Sequence, residues 1–138
     1  MKKLKLLTSF VSPRTLDFFI NSDYLPIFIL RNIKTSTLIN KYSETALQIK
    51  ELSPSNELYQ SMRDGLIDFE EYQKRYVIEM SEVDLYGILE RIETLVNLAG
   101  AKTAILLDYS GKFYHHSALS GIFANMGVEM EEVLCLEK

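Results

Sequence analysis

A chain of 138 residues, 47% hydrophobic and 25% charged, has the size and composition of one globular domain; at that length folding removes roughly 70% of the unfolded surface from water. Its single cysteine, Cys135, excludes an intrachain disulfide and a cysteine-based zinc cluster. The net charge of −4 disfavours a nucleic-acid partner, although residues 1–34 hold six Lys/Arg against two Asp and leave the remainder at −8.

Met1-Lys2-Lys3-Leu4-Lys5-Leu6-Leu7 imitates a secretion signal, but Lys5 interrupts the apolar run and Pro13 closes it, so Leu4–Thr8 reads as a first strand. Ser12-Pro13 then supplies the cap and first-turn proline of a helix. Tyr24–Leu30 is a continuous apolar run, as expected of a strand buried on both faces, with Pro26 near its beginning. Residues 32–52 are polar without a clean period, which predicts a long, partly ordered loop over the site.

Ser53-Pro54-Ser55 opens a helix to about Arg63, stopped by Asp64-Gly65. Asp68 and Glu71 have the spacing of a capping box, and Phe69, Tyr72, Tyr76 and Met80 repeat at helical intervals, which favours core packing for the two tyrosines. Ser81 and Asp84 start a third helix, whose apolar face runs from Leu85 to Leu98 and ends at Gly100. Thr103–Leu107 predicts another buried strand, ending at Asp108-Tyr109-Ser110-Gly111. A helix from His115 or His116 to Met126, a stop at Gly127 and a last strand over Glu132–Leu136 complete the pattern. This order predicts a single α/β domain over residues 1–138, with a mainly parallel sheet of about four strands and helices on its faces, Rossmann-like and three-layered. No apolar stretch approaches the ~20 residues that span a bilayer, so a cytoplasmic protein away from membranes is expected.

Ligands of open parallel sheets bind beyond the carboxyl ends of the strands, where loops and helix N-termini converge. That edge selects Thr8 and Ser9, then Arg31 and Asn32, then Asp108, Tyr109 and the pair His115 and His116. At a helix start the histidines meet the positive end of the dipole, which favours neutral imidazole. Asp108 could then orient one ring as a catalytic pair while Arg31 held an anionic substrate. Equally, one ring caps the helix or packs on the sheet edge while the other is solvated, and Arg31 forms an internal ion pair. Adjacent helical residues point about 100° apart and no third ligand accompanies the pair, so neither a metal nor another cofactor is expected. No P-loop, dinucleotide fingerprint or nucleophile elbow occurs.

Leu52-Ser53-Pro54-Ser55-Asn56-Glu57-Leu58, Gly65-Leu66-Ile67-Asp68 and Tyr72-Gln73-Lys74-Arg75-Tyr76 resemble the central signature of the small proteins known as domain of unknown function 488. The likeness continues through Leu106–Leu119, where that family has an apolar strand, a short loop and Phe-Cys-His-Arg opening the last helix. Here those positions are Phe113-Tyr114-His115-His116, so only the histidine of the Cys-His-Arg trio is kept, at His115. The resemblance implies an α/β fold with a pocket, matches Arg31 and Ser53-Pro54-Ser55 to family features, and argues against cysteine-dependent chemistry.

Two functions follow as expectations. The first is a non-catalytic binding or interaction module, capable of forming a homodimer, since losing two residues of a trio removes chemistry more readily than fold. The alternative is an enzyme or small-anion binder whose edge pocket is lined by Ser9, Arg31, Lys50, Ser53, Asp108, Tyr109, His115 and His116.

Overall fold

The computed structural model describes residues 5–10, 23–30, 47–108 and 114–133. The strands are β1 (Lys5–Phe10), β2 (Tyr24–Phe28), β3 (Leu47–Gln48), β4 (Thr103–Asp108) and β5 (Glu129–Glu132). The helices are α1 (Asn56–Arg63), α2 (Phe69–Met80), α3 (Leu85–Ala99) and α4 (His116–Asn125), with a 3-10 turn at Lys50–Leu52. All strand pairs are parallel, in the order β3-β2-β4-β1-β5, which gives a small three-layer α/β domain. The usual dinucleotide-fold order is 3-2-1-4-5; here β4 instead lies between β2 and β1 and is the central strand. Being paired on both sides, it accommodates an apolar run, and Ala104 to Asp108 are all buried.

The expected mainly parallel sheet of about four strands is present, with five strands among the described residues, since Leu47–Gln48 inside the expected loop pairs with Ile27 and Phe28. Two residues are too few to carry a periodic signal, so the strand exists through pairing with β2. The last described strand, Glu129–Glu132, begins three residues before the expected Glu132–Leu136, of which residues 134–136 lie outside the described residues. Glu129, Glu131 and Glu132 are exposed on this edge strand and only Met130 is buried, so apolar content did not mark its start. The helix expected from Ser12-Pro13 and residues 32–46 lie outside the described residues.

Local capping follows the sequence closely. Ser55 caps α1, accepting from the Leu58 N–H at 3.1 Å, while its own N–H and hydroxyl both donate to the Glu79 carboxylate and so fasten α1 to α2. Asp68 caps α2 by accepting from the Glu71 N–H at 2.8 Å. In place of a reciprocal capping box, Glu71 receives the Arg75 Nε–H at 2.8 Å. Asp84 caps α3 from beside Gly87, where any side chain would collide with the capping carboxylate. Gly100 ends α3 at φ +68°, a left-handed conformation that glycine adopts without Cβ strain.

The core joins Leu6, Ile27, Ile29, Leu106, Leu119 and Phe123 to the buried faces of the helices, including the fully buried Tyr72 and Tyr76. The Tyr76 hydroxyl is satisfied there by donating to the Leu52 carbonyl at 2.6 Å, which pins the turn after β3 to α2. Tyr76→Phe keeps the ring but strands that carbonyl, and is expected to cost about 1–2 kcal/mol with an unchanged denaturant m-value in urea unfolding.

Candidate functional site

The parallel register brings the ends of the strands to one edge, with Phe10 of β1 opposite Asp108 of β4. Asp108, wholly buried, ends the central strand and faces the start of α4. Its Oδ2 accepts from the backbone N–H of His115 at 2.6 Å and of His116 at 2.7 Å. The His116 ring adds a third bond to the same oxygen, from Nδ1 at 2.9 Å. His115 stands at the N-cap position of α4, yet its side chain makes no capping bond. Asp108 performs that task from seven residues upstream, placing a full negative charge against the positive end of the helix.

The histidines diverge from there. His115 is buried, its Nε2–H donates to the Ile29 carbonyl beyond β2 at 3.0 Å, and its ring lies 4.9 Å from that of Tyr76. Its Nδ1 lies 2.9 Å from Asp108 Oδ1, a buried contact with the second oxygen of the same carboxylate. Both rings reach one carboxylate because His115 is outside helical geometry, with φ −134° and ψ 4°; the 100° divergence of helical neighbours does not apply. His116 turns its other edge toward Glu132 of β5, with Nε2 3.6 Å from Oε1.

Burial by itself would raise the Asp108 pKa, but the adjoining His115 ring and the hydrogen bonds from both histidines outweigh it and hold the carboxyl at about 2. Burial likewise pushes the His116 ring down, yet the bond to Asp108 and the nearby Glu132 charge win, and its pKa is raised. The two carboxylates thus act on the His116 ring in the direction opposite to that expected of a helix start. Tyr76 is pushed well above the ordinary phenol value, by burial first and by the Asp108 charge second.

The remaining candidates separate. Ser9 is buried, with its hydroxyl donating to the Val133 carbonyl at 2.7 Å and so tying β1 to the end of β5. Thr8 donates to the Leu106 carbonyl at 2.8 Å. The Ser53 hydroxyl closes the 3-10 turn on the Lys50 carbonyl at 2.6 Å, and the Lys50 side chain faces solvent. These three hydroxyls therefore hold the edge together without converging on Asp108. Arg31 and Tyr109 lie outside the described residues. Sequence reasoning missed Glu132, which sits 16 residues from His116 with no local signal, and missed Tyr76 as a neighbour of His115 because its spacing marked it only as core. A run of rings, Phe69 to Tyr114 at 4.9 Å and Tyr114 to His116 at 5.1 Å, connects α2 to the cluster.

Among the described residues no three His, Cys, Asp or Glu side chains are grouped to hold a metal ion, and no helix is long and apolar enough to cross a membrane. No protein-family model, curated protein or solved structure matches the chain.

Two pH dependences follow. The Asp108 pKa is depressed on folding, so its contribution is present above about pH 4 and is lost as pH falls through about 2. Asp108→Asn is expected to cost about 2 kcal/mol or more at pH 7 in urea unfolding, with the gap to wild type narrowing in acid. The His116 pKa is raised, so its contribution is complete below about pH 6.5 and fades as pH climbs through the folded value. The stability difference between wild type and His116→Gln should therefore shrink from pH 6 to pH 9 in the same assay.

Proposed function

We propose that the protein is a non-catalytic binding or interaction module, a divergent member of the family known as domain of unknown function 488 that keeps the fold while its edge residues serve as structure. The observation that carries this reading is the Asp108 carboxylate, which fills the N-terminus of α4. Such a helix end is where a phosphate or carboxylate ligand binds in many α/β proteins, through exposed N–H groups and the dipole. Here the chain's own side chain takes that place, fully buried, with the ring of His116 as a further donor. The Ser9 and Ser53 hydroxyls, the other candidates for ligand contact or nucleophilic attack, are donated to backbone carbonyls. A reducing, cytoplasmic setting fits a chain with one cysteine.

One observation favours a small-anion site as the second reading. Glu132 is 44% exposed and only 3.6 Å from His116 Nε2, so an anionic ligand that displaced it would meet a ring N–H backed by Asp108.

Stability measurements separate the two. Residues held for function at the expense of packing become more stable when replaced, whereas residues that support the fold do not. Asp108→Asn and His116→Ala are both expected to lower the urea midpoint, and wild-type melting is expected to be unmoved by phosphate, nucleotides, sugar phosphates or divalent metals. A rise of several degrees with one of these ligands, absent in His116→Ala, would establish the anion site instead.

A further inference from the structure

We propose that the outward face of α2 is the contact surface of a weak homodimer, in which two copies of α2 pack antiparallel about a two-fold axis at Gln73. This rests on the reading of the protein as an interaction module. Phe69, Gln73 and Val77 follow one another at intervals of four along α2, and with Glu70, Lys74 and Ala118 of α4 they line a shallow groove of about 550 Å³. Val77 is 44% exposed in it.

The symmetry of the stripe and its charges select a second copy as the occupant. Residues four either side of Gln73 exchange places across an antiparallel two-fold, so Phe69 packs over the partner's Val77 and Val77 over the partner's Phe69. The residue on the axis meets itself and must therefore be uncharged. Gln73 meets that condition, and its amide is already steadied by donating to Ser117 Oγ at 3.1 Å. Glu70 and Lys74 flank the stripe on the same side, and the same operation brings each Glu70 to within about 3 Å, along the axis, of the partner's Lys74. Glu71 and Arg75, one position on, are closed into a pair at 2.8 Å, whereas neither Glu70 nor Lys74 enters an ion pair among the described residues. The dimer thus gains two interchain pairs without breaking an intrachain one. A single helix face is small beside the ~1,600 Å² of a stable interface, so the association is weak.

Sedimentation velocity of the full chain across roughly 1 µM to 1 mM tests this. The wild type should pass reversibly from monomer to dimer. E70K and K74E, each of which opposes like charges across the axis, should each weaken association about tenfold. E70K/K74E combined restores opposite charges and should recover most of the wild-type affinity. Both positions are exposed, and circular dichroism checks that each variant is folded. A wild type that stays monomeric throughout, or a double swap that associates no better than either single one, overturns the proposal. Failure of the dimer is distinguishable from failure of the functional reading, which is decided by the stability of the Asp108 and His116 variants.

Discussion

An ionised carboxylate removed from water costs several kcal/mol unless its lone pairs are satisfied, and Asp108 is wholly removed from water. It is tolerated because the central strand delivers it to the one place in the fold that supplies donors in quantity, the unsatisfied N–H groups at the start of α4. The dependence is mutual. α4 lacks a side-chain cap from its own N-cap residue, and without Asp108 its first turn would present buried donors with no acceptor. The direction of α4, the placing of both histidines and the closure of the sheet's carboxyl edge all depend on this single carboxylate.

Further links spread from it across the sheet. His115 carries the connection to Ile29 beyond β2, and its ring rests against Tyr76, whose hydroxyl holds the turn after β3. His116 carries it the other way, toward Glu132 on the edge strand β5. β2, β4 and β5 and the helix α2 are thus joined through polar groups that are buried except for the exposed Glu132. In a low-dielectric setting such a network rigidifies when complete and is costly when one member is lost.

Residues that look like machinery on paper are here bonded into the fold itself. An aspartate, two histidines and two serines at the carboxyl edge of a parallel sheet have the composition of an active site. Composition says nothing about direction, however. Here the polar atoms are turned onto backbone N–H groups, backbone carbonyls and one another. On α2, by contrast, Val77 and Ile78 are exposed beside charges of both signs.

The amino-acid order alone determined the α/β class, three helices with their caps and the interior strands β1, β2 and β4. These are local matters: Ser55, Asp68 and Asp84 find their donors within three residues, Gly100 terminates α3 by its own backbone freedom, and a continuous apolar run can be read without knowing its neighbours. It also singled out Asp108, His115 and His116 as neighbours at one edge, since a strand end and a helix start seven residues apart must adjoin. What only the tertiary structure decided was every relation without a local signature. β3 is two residues long and forms because β2 offers it hydrogen bonds; β5 is a row of glutamates that pairs with β1 through its backbone. The raised pKa of His116 followed from Asp108 and Glu132 arriving on opposite sides of its ring, and the filling of the α4 N-terminus followed from the direction of one carboxylate. Periodicity and capping act over a few residues, whereas hydrogen-bond direction and burial are properties of the assembled fold.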